Sequence, residues 1–417
     1  MIPPLTNLLS VQEAQTYILS LFAPVSLELV PLAASLERIL GETITAPGDL
    51  PPFANSSMDG FAVLAADVPG AASDSPVTLR VVADIPAGSH PQTPLGPGQA
   101  ARIMTGAPLP PGATAVVPVE DTDFGDQQHA ALPEQVAVFR AVTAGQYVRP
   151  RGQDIQQGQV LLQPGRKMQP QDVGLLASIG RTQVSVYRRP RVALFSSGDE
   201  LVQPGQDLRP GQIYDSNQFV LAALLENAGA EVLRLGTARD DPQAIIEMLH
   251  SVREQQVDLI LTSAGVSVGA FDFVRQVIQT HGRLSFWRVN MRPGKPLAFG
   301  YFEDTPLIGL PGNPVSAYVG CRVFVLPAIY RLAGRSQVLP HRAKAFMAHP
   351  LESDGRESYL RAIVQEDHGR WIANLTGHQG SGNLFSLVQA NALLIVPSGV
   401  KSLPLDSEVD VWFLENE

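Results

Sequence analysis

The chain has 417 residues, of which 45% are hydrophobic and 17% are charged, and its formal net charge is −10. A chain of this length is expected to fold into roughly two to four domains, and its apolar content excludes a largely disordered protein. Its acidic balance argues against a general role in nucleic-acid binding, because such proteins usually carry broadly basic surfaces.

The first residues and the single cysteine indicate the cellular compartment. The N-terminal segment contains acidic Glu13, no basic region and no long apolar core, so no signal peptide is predicted. No stretch approaches about 18 uninterrupted apolar residues, so we expect no membrane span. Cys321 has no second cysteine with which to pair, which favours a reducing environment. We therefore expect a cytoplasmic protein.

The first part of the chain changes from helical to β-type patterns. Ser10 followed by Glu13 forms a capping-box pattern, which predicts a helix of about three turns. Leucines at every fourth position of residues 32–40, followed by Gly41, predict a second helix. From 43 to 148, short β-type runs such as VTLRVVADI and TAVVPVE alternate with clusters of proline and glycine. This pattern predicts a small β-rich domain.

The rest of the chain predicts an α/β domain followed by a second β domain. A helical stretch ended by Gly180 comes first. From Arg191, short apolar strands such as RVALFSS and VDLILTS alternate with amphipathic helices, which indicates a doubly wound α/β domain with a parallel sheet covered on both faces. After Gly334, the runs AKAFM, ESYLRAIVQE, RWIANLT and ALLIVPSG predict strands of a small β-barrel or sandwich.

Three apolar runs between Leu259 and Ala317 each end in a glycine-rich turn: LILTSAGVSVGAFDF, VNMRPGKPLAFG and PLIGLPGNPVSAYV. In α/β proteins such turns lie where strands end and helices begin, and their exposed backbone N–H groups collect anions. In the first turn, Gly265 allows close approach of an anion, and Ser263 and Ser267 supply hydroxyl donors. The region predicts a site for a phosphate-bearing ligand, the alternative being a plain strand-to-helix connection.

Charged residues adjoin these turns. Glu200, in SSGDELVQPG, follows a predicted strand where Mg²⁺ could bridge to a substrate phosphate, and the alternative is a solvated turn with a capping acid. Asp272 begins the next predicted helix and suits either the helix dipole or a metal. Arg292 and Lys295 flank a Pro-Gly turn, so both cations can point toward one pocket. Asn313 is the predicted N-cap of the helix that follows.

Turns of the β-rich domain also carry polar side chains, with Asp59 in PPFANSSMDGFAV and Thr105 in RIMTGAPLP. Such residues favour tight turns for backbone reasons alone, so each by itself allows a structural explanation. Two other classes of site are disfavoured by motifs that the chain lacks. Its eight histidines and one cysteine give no zinc-ligand spacing, and the GxGxxG fingerprint of dinucleotide enzymes does not occur.

Eleven motifs match one family in order across nearly the whole chain. They are PPFANSSMDGFAV, RIMTGAPLP, VVPVEDT, GQYVRPRGQDI, SSGDEL, IYDSNQ, RDD, GVSVG, MRPGKPLAFG, LPGNPVSA and GSGNLFSLVQANALLIVP. On these motifs the sequence resembles the MoeA family of molybdopterin molybdenumtransferases, which also occurs as the E-domain of gephyrin-type proteins.

The resemblance implies an elongated homodimer built from four domains per chain. These would be an elongated linker domain of residues 1–50 and 148–188, a β-rich inserted domain of residues 51–147, a MogA-like α/β molybdopterin-binding domain of residues 189–334 and a C-terminal β-barrel of residues 335–417. Sites would form where the α/β domain of one subunit faces the other subunit.

The resemblance also implies a reaction in molybdenum cofactor biosynthesis. Molybdate and adenylylated molybdopterin (molybdopterin-AMP) would give molybdenum cofactor and AMP in the presence of Mg²⁺, with other cofactor-biosynthesis proteins and apo-molybdoenzymes as further partners. Carried over by motif position, the catalytic residues would be Asp59, Thr105, Glu200, Asp240, Asp272 and Lys295, with Glu200 and Asp272 as metal ligands. The substrate would be bound by Ser263, Gly265, Ser267, Arg292, Lys295, Gly312, Asn313 and Ser381.

Departures from the family pattern leave a second function open. The family turn is usually TSGGVSVG followed by an acid, whereas Ala264 replaces the first glycine and Ala270 replaces the acid. The alternative is therefore a catalytically weakened paralogue that binds or carries molybdopterin species. A generic α/β enzyme acting on sugar nucleotides or phosphates is a third interpretation, which the ordered motifs outside the α/β domain disfavour.

Overall fold

The computed structural model describes residues 8–125, 131–264 and 273–414. These residues form two compact units. The inserted unit consists of Thr43–Gln163 with Ser178–Gly180, and the larger unit consists of the rest of the described chain.

The first helix, α1 (Val11–Ser20), begins with the predicted capping box. The Ser10 hydroxyl accepts a hydrogen bond from the Glu13 N–H at 3.2 Å, and the Ser10 N–H donates to the Glu13 carboxylate at 2.8 Å. The apolar face of α1 packs into the core of the larger unit through Ala14 and Ile18, both fully buried. A short strand, β1 (Leu27–Pro31), follows.

The second predicted helix, over residues 32–40, is wrong. Only a 3₁₀ turn forms there, at Leu32–Ala34, and Glu37 adopts a left-handed φ of 64°. Leu40 instead forms an isolated β-bridge with Val186 and is fully buried, whereas Leu36 lies at the surface. Backbone pairing with a distant segment has therefore overridden the helical spacing of the leucines.

The regular secondary structure of the inserted unit consists of β-strands and two short 3₁₀ turns. Its main sheet has the order β7-β4-β6-β5-β8, and its core contains Phe61 and Val117, both fully buried. The antiparallel pair β2–β10 brings the two ends of the unit together. In chain order its strands are β2 (Ile44–Thr45), β3 (Asn55–Ser56), β4 (Gly60–Val63), β5 (Val77–Ile85), β6 (Gln99–Ile103), β7 (Ala115–Pro118), β8 (Gln135–Val138), β9 (Val148–Arg149) and β10 (Val160–Leu162).

Two elements precede the α/β domain. Helix α2 (Pro170–Ser178) is followed by Gly180, whose φ of 78° is the left-handed conformation expected after a helix. Strand β11 (Gln183–Tyr187) then pairs antiparallel with β1.

The doubly wound α/β domain is confirmed. Its sheet has the order β15-β12-β16-β20-β19-β17, in which the first four strands pair in parallel and β19 pairs antiparallel with both β20 and β17. Separate apolar clusters cover its two faces. The elements are β12 (Arg191–Ser197), β13 (Leu201–Val202), β14 (Ile213–Tyr214), α3 (Asn217–Asn227), β15 (Glu231–Ala238), α4 (Pro242–Ser251), β16 (Leu259–Ser263), α5 (Phe273–His281), β17 (Gly282–Arg288), β18 (Met291–Arg292), β19 (Pro296–Phe302), β20 (Thr305–Leu310), α6 (Pro314–Gly320) and α7 (Leu326–Leu332).

Helices α6 and α7 are joined by a π-helical segment, Cys321–Val325, into one continuous helical stretch. A π turn shifts the hydrogen-bond ladder and frees a backbone carbonyl. The side-chain amide of Gln15 donates to the carbonyl of Val323 at 2.8 Å, so α1 satisfies this group. By length and apolar composition the stretch Pro314–Leu332 is able to span a membrane, but 89% of its most apolar window is buried inside the protein, as in a core helix.

The C-terminal region is a closed five-stranded barrel, which is one of the two folds predicted for it, a barrel or a sandwich. Strands β23, β24, β21, β27 and β25 pair in that order, and β25 closes the ring on β23. Strand β18 adds to β23, which attaches the MRPG turn to the barrel. The elements are β21 (Ala343–Met347), β22 (Leu351–Glu352), β23 (Glu357–Asp367), β24 (Arg370–Leu375), α8 (Phe385–Gln389), β25 (Ala392–Val396), β26 (Ser402–Leu403) and β27 (Glu408–Phe413).

Candidate functional site

The predicted ligand-binding turns meet at one edge of the α/β sheet. Strands β12, β16 and β20 are adjacent and parallel, so the segments after Ser197, Ser263 and Leu310 leave the sheet on the same side. Ser263 is buried, and its hydroxyl is 2.9 Å from that of Ser196. The hydroxyls of Ser197 and Thr262 are also buried and have no hydrogen-bond partner within the described ranges. The edge therefore offers free hydroxyl groups to a ligand.

Carboxylates cluster beside these hydroxyls. The N–H of Asp240 donates to the Asp199 carboxylate at 3.3 Å. Burial raises the pKa of Asp240, and the negative charges of Glu200 and Asp199 add to the rise. Asp272 lies outside the described residues. A concentration of carboxylate oxygens at a sheet edge fits a Mg²⁺ ion that takes its other ligands from substrate and water, because Mg²⁺ commonly binds through one or two carboxylates. In the described part of the chain, no three acidic, histidine or cysteine side chains form a complete metal site.

The first glycine-rich turn begins with a strained residue. Ala264 has a φ of 74°, in the left-handed region that favours glycine, and its N–H donates to the carbonyl of Leu310 at 3.0 Å. A Cβ atom placed on Gly312 would lie 3.2 Å from the Cβ of Ala264. A side chain at position 312 would therefore require the Ala264 methyl to shift by a few tenths of an ångström. Gly265, Ser267 and Ala270 lie outside the described residues.

The second and third turns line one cavity together with a loop of the barrel. The cavity has a volume of about 380 Å³. The predicted binding residues Arg292, Gly312, Asn313 and Ser381 all line it. The carbonyl of Ser381 accepts a hydrogen bond from the Val315 N–H at 3.0 Å, which ties the barrel loop to the start of α6. Three segments that lie apart in the sequence are thus brought together.

Two predictions at these turns are met only in part. Asn313 occupies the N-cap position of α6, with Pro314 next, but its side chain makes no capping hydrogen bond. Lys295 is exposed on the MRPG turn and is not among the residues that line the cavity. Of the two predicted cations, only Arg292 faces it.

Sequence reasoning missed Arg361, which lies on β23 and lines the same cavity. The residue is fully buried, and its guanidinium donates to the Ser386 hydroxyl at 2.9 Å and to the Gly380 carbonyl at 3.0 Å. Its Nη1 is buried without a hydrogen-bond partner, and no carboxylate pairs with it in the described ranges. Burial lowers the pKa of Arg361 to about 10, and the positive charge of Arg292 contributes, so Arg361 remains a cation at neutral pH.

This arrangement is chemically suited to binding a small anion. A buried, unpaired cation is costly unless a counter-charge arrives, and a guanidinium binds oxyanions through well-directed hydrogen bonds. The clue in the sequence was one arginine inside the apolar strand ESYLRAIVQ, because arginine is almost never fully buried unless paired.

In the inserted unit, the structure brings Asp59 and Thr105 together. The N–H and the hydroxyl of Thr105 both donate to Asp59 Oδ1, at 2.6 and 2.7 Å. Asp59 therefore fixes the position of the Thr105 hydroxyl on its loop.

Family models match most of the chain in three consecutive parts. Residues 9–180 match the MoeA N-terminal region (domain I and II), residues 193–331 match a probable molybdopterin binding domain, and residues 344–414 match the MoeA C-terminal region (domain IV).

Full-length relatives give the same result. The chain is 39% identical to molybdopterin molybdenumtransferase 2 of Mycobacterium tuberculosis, over 97% of this chain and 99% of the relative. It is 39% identical to the molybdopterin molybdenumtransferase of Nostoc, over 89% of this chain and 85% of the relative. A solved structure of the molybdopterin biosynthesis MoeA protein from Pyrococcus horikoshii matches with a TM-score of 0.82 at 28% identity, covering 98% of this chain and 100% of that one. The chain therefore belongs to the MoeA family.

Proposed function

We propose that this chain is a molybdopterin molybdenumtransferase, which inserts molybdenum from molybdate into adenylylated molybdopterin and releases AMP. The observation that carries the proposal is the unpaired, buried Arg361 in the cavity that Arg292, Gly312 and Ser381 also line. Relatives that carry this name match the chain over nearly its whole length.

The cavity suits molybdate, which is a small tetrahedral dianion. Arg361 offers a free Nη1 donor, and Arg292 adds a second positive charge. The neighbouring Arg356 is already paired with Asp354, with Nε and Oδ2 3.0 Å apart, so it contributes less. In a partly enclosed cavity such charge-assisted hydrogen bonds are roughly twice as strong as neutral ones. Arg361 and Arg292 would hold molybdate, and Ser381 and Gly312 would shape its surroundings.

The sheet edge suits the phosphate of the adenylylated pterin. The hydroxyls of Ser197 and Thr262 lie there without partners, and Glu200 and Asp240 lie beside them. Bound Mg²⁺ would neutralise charge on that phosphate, with Glu200, Asp240 and the predicted ligand Asp272 as its protein contacts. Ser263, Gly265 and Ser267 would bind the phosphate on the same side. These groups would stabilise the leaving adenylate.

The remaining predicted residues and properties stay part of the proposal. Asp59 and Thr105 would contribute to catalysis, with Asp59 fixing the Thr105 hydroxyl, and Lys295 would assist in anion binding from the MRPG turn. We further propose a cytoplasmic homodimer that transfers its product to apo-molybdoenzymes.

The activity is tested by incubating the purified chain with molybdopterin-AMP, molybdate and Mg²⁺. We expect AMP release and reconstitution of an apo-molybdoenzyme. Arg361→Met should lower kcat/KM for molybdate by about 100-fold or more, because a charge-assisted contact to the dianion is lost. Arg370→Met is the matched control, since Arg370 lies in the same barrel and pairs with Asp406 at 2.9 Å outside the cavity. Tight binding of molybdopterin-AMP without AMP release would contradict the proposal and support the carrier alternative.

A further inference from the structure

All hydrogen-bond acceptors around the Arg361 guanidinium are neutral in the described ranges. They are the Ser386 hydroxyl at 2.9 Å, the Gly380 carbonyl at 3.0 Å and the His378 carbonyl at 3.5 Å. The backbone of Arg361 is also fixed by a neutral group, because its N–H donates to Gln379 Oε1 at 2.9 Å and its carbonyl accepts from Gln379 Nε2 at 3.1 Å. The arginine is held in place without losing its charge.

Arg188 of the larger unit gives a contrast. Arg188 forms a bidentate pair with Asp258, with N–O distances of 2.7 and 2.8 Å, although it is only part-buried. Fully buried charges ordinarily require such a partner, since an uncompensated buried ion costs several kcal/mol. At Arg361 the most deeply buried guanidinium has a serine where a carboxylate would be expected.

The Ser386 hydroxyl is oriented by a second hydrogen bond. Ser386 is fully buried, and its hydroxyl donates to the carbonyl of Asn383 at 2.6 Å. Its proton is thereby committed to Asn383, and its oxygen lone pairs are left to accept from Arg361 Nε. The neutral Ser386 hydroxyl does not cancel the charge of the guanidinium. Its hydrogen bond to Nε fixes the plane of the guanidinium and therefore the direction of Nη1.

We propose that Ser386 is a positioning residue that keeps Arg361 an uncompensated cation, so that the charge is available to the oxyanion substrate. The uncompensated charge lowers the stability of the fold at this position and raises the affinity of the cavity for an anion. The inference rests on the proposed function, because it takes Arg361 to be the group that binds molybdate.

The test compares two isosteric substitutions in the full-length protein. Ser386→Asp supplies a carboxylate to Arg361, whereas Ser386→Asn supplies the same volume without charge. Molybdate binding is measured by titration calorimetry, and stability by thermal unfolding. We expect Ser386→Asn to weaken molybdate binding about tenfold through altered geometry, and Ser386→Asp to weaken it about 1,000-fold because the charge is cancelled. We also expect Ser386→Asp to unfold at a higher temperature than Ser386→Asn.

Ser386→Asp should thus bind molybdate more weakly than Ser386→Asn and yet unfold at a higher temperature. A merely structural role of Ser386 would not combine weaker binding with greater stability. If the two variants bind molybdate equally, or if Ser386→Asp is less stable than Ser386→Asn, the inference is wrong. If neither variant folds, Ser386→Ala decides: it should raise KM for molybdate several-fold with kcat unchanged, and an unchanged KM would overturn the inference. Ser407→Ala is the control, because Ser407 makes the same hydroxyl-to-carbonyl bond three residues back, to Pro404 at 2.8 Å, and does not line the cavity.

Arg361→Met distinguishes failure of the inference from failure of the proposed function. If Arg361→Met binds molybdate as tightly as the wild type, the oxyanion site itself has been placed wrongly. If Arg361→Met loses binding but Ser386→Asp keeps it, only the role of Ser386 is refuted.

Discussion

At the residue scale, Ala264 concentrates backbone strain at the start of the first glycine-rich turn, for which ligand binding is proposed. Its φ of 74° costs a residue with a side chain roughly 1–2 kcal/mol, part of which glycine would lose again through the greater freedom of its unfolded state. We expect Ala264→Gly to raise the free energy of unfolding by up to about 1 kcal/mol, as measured by chemical denaturation.

The matched control for this prediction is Ala228→Gly. Ala228 ends α3 in the same domain with a φ of −76°, so glycine relieves no strain there. That variant should be neutral or destabilised by up to about 1 kcal/mol. Equal effects of the two substitutions would show that Ala264 is not strained.

The sequence indicated some of the residues that lie at the cavity, but not others. Gly312 and Ser381 lie on one cavity, in turns that the family motifs mark, and their part in binding stays a prediction. Arg361 was missed because its importance comes from the absence of a carboxylate around it in the folded barrel, and no local pattern encodes that absence. Lys295 was assigned to the pocket from sequence proximity to Arg292, yet it lies on the exposed side of the turn.

At the element scale, the π-helical segment makes the core helix dependent on α1. Val323 is 2% exposed, and its carbonyl is satisfied by the Gln15 side chain. Gln15→Ala would leave this carbonyl without a partner, so we expect the free energy of unfolding to fall by about 1 to 2 kcal/mol in chemical denaturation. Gln12→Ala, on the exposed side of α1, should change it by less than about 0.5 kcal/mol. A Gln15→Ala variant as stable as Gln12→Ala would contradict this role.

Elements were predictable where local signals agreed with tertiary packing. The capping box of α1 and the apolar strands of the parallel sheet were both read correctly, because each is stabilised by the interactions that its pattern indicates. The false helix over residues 32–40 shows the opposite case, since the backbone of this segment pairs with residues beyond 160. The antiparallel strand β19 and the edge strand β17 beside it were not anticipated, because strand order in a sheet has no local signature.

At the scale of the whole molecule, the inserted unit has its own apolar core, and its two chain ends lie side by side. Strands β2 and β10 pair next to its two termini, and the five-stranded sheet buries a separate apolar cluster. We expect a fragment of residues 43–163 to fold alone and to unfold cooperatively on heating, as monitored by circular dichroism. A fragment of residues 60–138, which keeps the sheet but lacks β2–β10 and β3–β9, should unfold at a lower temperature. An unfolded 43–163 fragment would show that the unit depends on the rest of the chain.

The bond between Gln15 and Val323 joins residues 308 positions apart, and this separation has a consequence for biosynthesis. At roughly 5–20 residues per second, a ribosome needs about 15–60 seconds to make the second partner after the first has emerged. During most of that interval the residues that cover the apolar face of α1, among them Phe286 and Phe299, have not yet been made. We therefore expect α1 to be a segment that chaperones hold on the nascent chain.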